Sequence, residues 1–146
     1  MHGLQGGSVF QLFEPVRFDQ TAPRWAKKVP KYPLIFGHSV FGHLFVSNED
    51  QSFLAVIVTE RPEFIELKLN SVQSFKDDFL KNEGVLRDFF GADRYGQLVE
   101  RLGEPAEAEC YFPVPYPASG GSGALDSYQK GNIWVHLDIY GQVIGL

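Results

Sequence analysis

Residues 34–69 constrain the fold more than any other part of this 146-residue sequence, because they form a succession of apolar runs separated by polar breaks. Residues 53–59 read FLAVIVT, a nearly continuous apolar and β-branched run that predicts a strand buried on both faces. Residues 34–40 and 41–47 predict two further strands, with Gly37 and Gly42 at bulges or turns. Residues 63–69 alternate like a half-buried strand. We therefore expect a meander of antiparallel strands.

The spacing of apolar residues changes from two to three or four after Asn70, which indicates helices. Ser71 is the expected N-cap of the first helix, whose apolar positions are Val72, Phe75, Phe79 and Leu80. A second, short helix is predicted to hold residues 85–90. A third is predicted over residues 93–102, with Gly103 as its C-terminal stop.

The N-terminal segment predicts one strand and one helix. Residues 8–13 form a short apolar run that we expect to be a strand ended by Glu14-Pro15. Asp19 is the expected N-cap of a helix over residues 20–28, which would place Trp25 on its apolar face.

The C-terminal segment predicts two more strands joined by a loop rich in Pro, Gly and Ser. Residues 109–114 form the first strand, and residues 133–139, which read IWVHLDI, alternate with the period of the second. Residues 142–146 would extend that strand or return from it as a hairpin. The predicted fold class is α+β, an antiparallel or mixed β-sheet with helices packed mainly on one face, in a single domain over residues 1–146.

Charge and cysteine content limit the classes of partner. The net charge of −5 disfavours generic nucleic-acid binding, which depends on Lys and Arg contacts to phosphates. The same charge is compatible with a basic protein partner or with simple solubility. One cysteine excludes an intramolecular disulfide and fits a reducing compartment. Since no signal peptide or long apolar run is visible, we predict a cytoplasmic protein with no membrane partner.

No motif in the sequence predicts catalysis, a cofactor or a metal. Cys110 lies within an apolar strand pattern, where a free cysteine acts as a small core residue. The glycines at 120–123 lack the Lys and the strand–glycine–helix order of nucleotide-binding loops. Asp77-Asp78 lies on the polar face of a predicted helix. The histidines lack the ligand set of a zinc site and are expected to be structural; they are His2, His38, His43 and His136.

Three blocks of the sequence resemble the C-terminal domain of bacterial type VI secretion immunity proteins that inhibit DNase toxins. The strongest block is the final third, with YFPVP at residues 111–115, ASGG at 118–121 and VHL at 135–137. Residues 39–46 and 3–18 carry weaker likenesses. The sequence departs from the family pattern at His43, where an acidic residue is common, and we expect the extra N-terminal domain of longer members to be absent unless the chain is truncated. The SUKH-like immunity families are the close alternative.

The resemblance implies a non-enzymatic immunity protein that binds and blocks a cognate toxin, either as a monomer or as a homodimer. A small-molecule or peptide-binding domain with an aromatic pocket remains the alternative reading, followed by an enzyme of unrecognised type. For the toxin-binding reading, we predict that residues 103–123 form the binding edge. Its candidate residues are Glu104, Glu107, Glu109, Tyr116, Gly120 and Gly121.

Overall fold

The computed structural model describes residues 9–60 and 63–146 and contains two antiparallel sheets. The larger sheet is a meander in the order β1-β2-β3-β4-β5. Its strands are β1 Phe10–Arg17, β2 Leu34–Ser39, β3 Leu44–Ser47, β4 Leu54–Val58 and β5 Glu63–Leu67. The smaller sheet pairs β6 Glu109–Pro113 with β7 Tyr128–Asn132. The predicted meander is confirmed. The Arg61-Pro62 break lies outside the described residues.

Five α-helices accompany the sheets within these residues: α1 Phe18–Thr21, α2 Pro23–Ala26, α3 Val72–Ser74, α4 Ala92–Leu102 and α5 Ile133–Val143. Two π-helical turns lie between α3 and α4, at Phe75–Phe79 and Val85–Phe89. Short 3₁₀ turns follow at Pro117–Ser119 and Leu125–Ser127. None of these described helices is long and apolar enough to cross a membrane.

The central strands β2, β3 and β4 of the larger sheet are buried on both faces, and the helices are divided between these faces. Val56 and Phe45 belong to one core cluster, with Phe75 and Leu98 from the 72–102 region. Neighbouring positions in the same strands, such as Leu44, Ala55 and Ile57, point to a second cluster with side chains from α1, α2 and α5. The α+β class and the antiparallel sheet are confirmed. All five β4 residues are buried, as the FLAVIVT run predicted, although β3 is the central strand of the order.

The strand predicted over residues 133–139 is wrong, because this segment is helix α5. The Asn132 side chain accepts hydrogen bonds from the backbone N–H groups of Trp134 and Val135 and thereby caps the helix. Its buried residues recur with helical spacing: Ile133, His136, Leu137, Tyr140 and Gly141. The β-branched residues and the local alternation favoured a strand, but burial against α2 decides for the helix. The partner of β6 is instead β7, which the sequence did not predict.

Contacts distant in sequence hold α5 against α2. The indole N–H of Trp25 donates to the Leu137 carbonyl at 2.9 Å, and Arg24 pairs with Asp138 at 2.8 Å. A Cβ at Gly141 would lie 3.3 Å from the Trp25 indole nitrogen, so a glycine allows the two helices to approach closely.

Three N-terminal predictions are wrong. Glu14-Pro15 does not end the first strand, because β1 continues to Arg17 through an irregularity in its pairing between Leu12 and Val16. An edge strand tolerates proline, since its outer N–H groups have no ladder partner. Asp19 is not an N-cap: α1 begins at Phe18, after Arg17, without a side-chain cap. Pro23 begins a second short helix, so the predicted helix over residues 20–28 is divided at Ala22.

Several local predictions are confirmed. The Ser71 hydroxyl accepts the Ser74 N–H at 3.0 Å and caps α3, which then continues as a π-helical turn. Gly103 ends α4 with a φ of +82°, a conformation that glycine adopts without strain. Trp25 and Cys110 are both buried.

Candidate partner-binding surface

The three predicted glutamates lie around the start of β6 and differ in their surroundings. Glu104 and Glu107 are exposed, whereas Glu109 is half-buried. The Glu109 carboxylate accepts the Ala106 N–H at 2.7 Å, so it already closes the turn that precedes β6. Glu107 lines a depression of about 410 Å³ together with His38 and Trp134. His38 is buried there, with its Nε2 atom lacking a hydrogen-bond partner, and burial lowers its pKa.

The other three predicted residues lie beyond the opposite end of β6. Tyr116 is half-buried, and its hydroxyl lies 3.1 Å from Nδ1 of His136. Gly120 is exposed, with a φ of +95°. A Cβ at Gly121 would lie 1.9 Å from the Pro115 carbonyl oxygen, so only glycine fits this fold of the loop. Because β6 has five residues and a strand rises about 3.3 Å per residue, Glu109 at its start lies roughly 13 Å from Pro113 at its end, after which this group follows.

Tyr116 belongs to a pocket of about 300 Å³ in which residues of the smaller sheet and of α5 meet loop residues that follow strands of the larger sheet. Thr59 and Glu60 follow β4, and α5 contributes His136 and Tyr140. The full lining is Phe41, Thr59, Glu60, Tyr111, Phe112, Pro113, Tyr116, Pro117, Tyr128, His136 and Tyr140. Six of these eleven residues are Phe or Tyr, so the wall is mainly aromatic, and Glu60 is the one acidic residue in it.

His136 is packed between aromatic rings at this pocket. Its ring stacks on Phe112 at 4.5 Å between centroids and 9° between planes, and a second stacked contact joins it to Tyr140 at 5.9 Å. Burial lowers the pKa of His136 from 6.5 to about 4, because the charged imidazolium would lose its hydration. His136 is therefore neutral at physiological pH.

The hydroxyl protons around the pocket are largely committed to the protein. Three of them donate to backbone carbonyls: Tyr111 to Gly103 at 2.6 Å, Tyr140 to Glu60 at 2.8 Å and Thr59 to Gly42 at 2.8 Å. The Tyr116 hydroxyl is hydrogen-bonded to Nδ1 of His136. The Glu60 carboxylate remains about half exposed, 3.9 Å from Nε2 of His43. The lining thus retains hydrogen-bond acceptors while most of its hydroxyl donors are in use.

A stripe of exposed apolar residues adjoins this pocket on α5. Val135, Ile139 and Val143 follow one another at i, i+4 and i+8 and are 59%, 47% and 41% exposed. Successive helix positions turn by about 100°, so this stripe occupies the sector next to His136 and Tyr140. Three branched aliphatic side chains on one face are more than scattered surface residues and mark a candidate interaction site.

The described residues offer two arrangements that look catalytic, and burial argues against both. Ser39 Oγ lies 2.6 Å from Nδ1 of His43, but it also accepts the N–H groups of Phe41 and His43, so it closes the β2–β3 turn. Both Ser39 and His43 are buried. Burial also raises the pKa of the Cys110 thiol, which disfavours the reactive thiolate. No group of three or more potential metal ligands occurs within residues 9–60 and 63–146.

Sequence reasoning identified Tyr116 but missed most of its surroundings. Glu60 and Tyr140 are 80 residues apart in sequence, and nothing local predicts that they meet. The exposed stripe on α5 did leave a signal, since residues 135, 139 and 143 repeat every four positions. Treating the segment as a strand concealed that signal.

The fold is shared with a solved structure of low sequence identity. The crystal structure of Atu4351 from Agrobacterium tumefaciens superposes with a TM-score of 0.64 and 16% identity, over 93% of this chain and 67% of that one. At this identity the likeness concerns the fold alone. A search of curated proteins found no match.

Residues 69–144 place the chain in the class of type VI secretion immunity proteins. They match the family model described as "T6SS immunity protein Tdi1, C-terminal", and this span is more than half of the chain. The chain therefore belongs to that family. The matched span contains β6, β7 and α5, with the YFPVP, ASGG and VHL blocks, whereas the blocks at residues 39–46 and 3–18 lie outside it.

Proposed function

We propose that this protein binds a cognate type VI effector and blocks it by occupying its surface, without chemistry of its own. The observation that carries this proposal is the stripe of Val135, Ile139 and Val143 beside the aromatic pocket. Both features contain α5 residues, and α5 lies within the span that matches the immunity family. Contiguous exposed apolar residues mark protein interaction sites, and aromatic residues are among the usual energetic anchors of interfaces.

An inhibitor of this kind needs a rigid surface and not a reactive group. The Ser39–His43 pair and Cys110 are buried, which supports a binding role. The net charge of −5 favours encounter with a basic partner. The cysteine is unpaired, which suits the reducing cytoplasm as the site of action.

Co-expression with a candidate type VI effector tests the proposal. Wild-type protein should restore growth and bind the effector, and Val135→Asp combined with Ile139→Asp should abolish both. Folding should be nearly unchanged, since both side chains are largely exposed. Phe53→Asp is the matched control, because Phe53 is 63% exposed but lies outside the family match. Wild-type protein that neither protects nor binds would contradict the proposed function.

The predicted acidic edge is tested in the same assay. If Glu104 and Glu107 steer the effector, Glu104→Lys combined with Glu107→Lys should slow association several-fold, and more so at low salt. Stability should change little, because both side chains are exposed. An unaltered association rate would mean that these glutamates lie outside the interface. The α5 surface would then remain the proposed binding site.

One observation favours a second function, binding of a small molecule or peptide. The pocket volume of about 300 Å³ lies at the lower end of the range for ligand sites. Native mass spectrometry of the purified protein distinguishes the two, since a retained small molecule that Tyr140→Ala releases would favour this alternative.

A further inference from the structure

We propose that the aromatic pocket receives a basic side chain of the partner protein, with Glu60 as its counter-ion; this inference rests on the proposed function. The occupant is the guanidinium of an arginine or the ammonium of a lysine. It would enter between the aromatic residues of β6, β7 and α5, beside the exposed stripe on α5.

Hydrogen-bonding capacity is the first argument for a cation. The hydroxyl protons of Tyr111, Tyr140 and Thr59 already donate to backbone carbonyls. Each hydroxyl oxygen retains capacity to accept, and Glu60 adds a carboxylate. A guanidinium carries five N–H donors and no acceptor, so it complements such a wall, whereas an anion or a carbonyl oxygen would find few donors.

The aromatic rings are the second argument. Cations bind favourably over the faces of Tyr and Phe rings, and the gain rises when water is excluded. The protein already uses this interaction in the same aromatic group: the Arg94 guanidinium lies 3.9 Å from the Phe41 ring centroid and donates to the Tyr128 hydroxyl at 3.0 Å. Arg94 is not part of the pocket lining, so the volume enclosed by the lining residues is not taken up by it.

Charge is the third argument. Glu60 is the only Asp, Glu, Lys or Arg among the lining residues. His136 is neutral at physiological pH and adds no opposing charge. The nearest described ion-pair partner of Glu60 is the His43 imidazole at 3.9 Å, which is a weak contact compared with a bidentate guanidinium.

Short peptides test the pocket directly. We expect acetyl-Gly-Arg-Gly-amide to shift the amide NMR signals of Gly42, Thr59 and Glu60 with an affinity about tenfold above that of the citrulline peptide, which has the same shape but no charge. Glu60→Gln should remove this tenfold preference, because it removes the negative charge. The substitution keeps the shape of the side chain and the backbone carbonyl that accepts the Tyr140 hydroxyl. Glu83→Gln, an exposed change outside the pocket, should leave it unchanged.

Equal binding of the arginine and citrulline peptides, or no binding of either, would overturn the inference. Stronger binding of tetramethylammonium than of the arginine peptide would also overturn it, in favour of a free small cation. Effector binding is measured separately: Glu60→Gln should weaken it about tenfold, and Glu83→Gln should not. If wild-type protein binds the arginine peptide but no effector, the proposed function fails while the cation specificity of the pocket stands. If it binds the effector but no arginine peptide, only the cation inference fails.

Discussion

Neutral His136 should make the protein less stable in mild acid. Its pKa is about 4 in the folded state and 6.5 in an unfolded chain. Between these values the unfolded chain binds a proton that the folded protein does not, so the free energy of unfolding rises with pH. The contribution of neutral His136 to the free energy of unfolding is complete above pH 6.5, and it is lost as the pH falls toward 4.

The magnitude follows from the difference in pKa. A shift of one unit corresponds to 1.36 kcal/mol, so a shift of about 2.5 units corresponds to about 3 kcal/mol over the whole window. At about pH 5 the unfolded histidine is almost fully protonated and the folded one is mostly neutral, and the loss is about 2 kcal/mol. This loss is a large part of the stability of an ordinary domain.

Urea unfolding at about pH 8 and about pH 5 measures this effect when wild type is compared with His136→Gln. The variant loses the stacking on Phe112 at both pH values, so the stability lost with that contact is the same at each pH. The difference between the two pH values therefore reports only the pH-dependent free energy of unfolding. We expect wild type to lose about 2 kcal/mol more than the variant between the two pH values. His38 also has a pKa lowered by burial, but it is present in both proteins and its contribution cancels.

Two outcomes would refute this reasoning. An equal loss of stability in wild type and His136→Gln would mean that His136 does not couple folding to pH. An NMR titration that gives the His136 ring a pKa of about 6 or above would mean that the aromatic rings around it do not exclude water.

Two pairs of substitutions test the core and the loop by thermal and urea unfolding. Val56→Asp buries an unpaired charge in β4 and should cost roughly 4 kcal/mol, against about 2 kcal/mol for Val56→Ala, and an unchanged melt would refute the strand assignment. Gly121→Ala should cost about 1–3 kcal/mol, because the added Cβ collides with the Pro115 carbonyl. Gly96→Ala, in α4 with open space around it, should stabilise by about 0.5–1 kcal/mol. Equal stability of the two alanine variants at glycine positions would show that the loop relaxes freely.

Features that depend on neighbouring residues in the chain could be predicted from the sequence. The apolar run of β4 has no polar residue to turn toward water, so it must be buried wherever the chain places it. Ser71 caps α3 through an atom three residues away, and Gly103 ends α4 through its own backbone freedom. Each of these interactions is complete within a few residues.

The conformation of α5 and the pocket were decided by the tertiary structure. The segment IWVHLDI fits a period of two, yet with the following Tyr140 it also places Ile133, His136 and Leu137 on one helical face, so local sequence leaves the choice open. Trp25 and Arg24 of α2 settle it, from more than 110 positions away.

The separation of the predicted acidic residues from Tyr116 was likewise invisible in the sequence, because they are close along the chain but lie at opposite ends of β6. The pocket in turn joins Glu60 to Tyr140 across 80 residues of chain. Sequence alone therefore determined the class of fold, the meander and the family. The position of the aromatic rings, the buried histidine and the Glu60 carboxylate around one pocket depends on contacts between distant segments, whose energy exists only once the chain has folded.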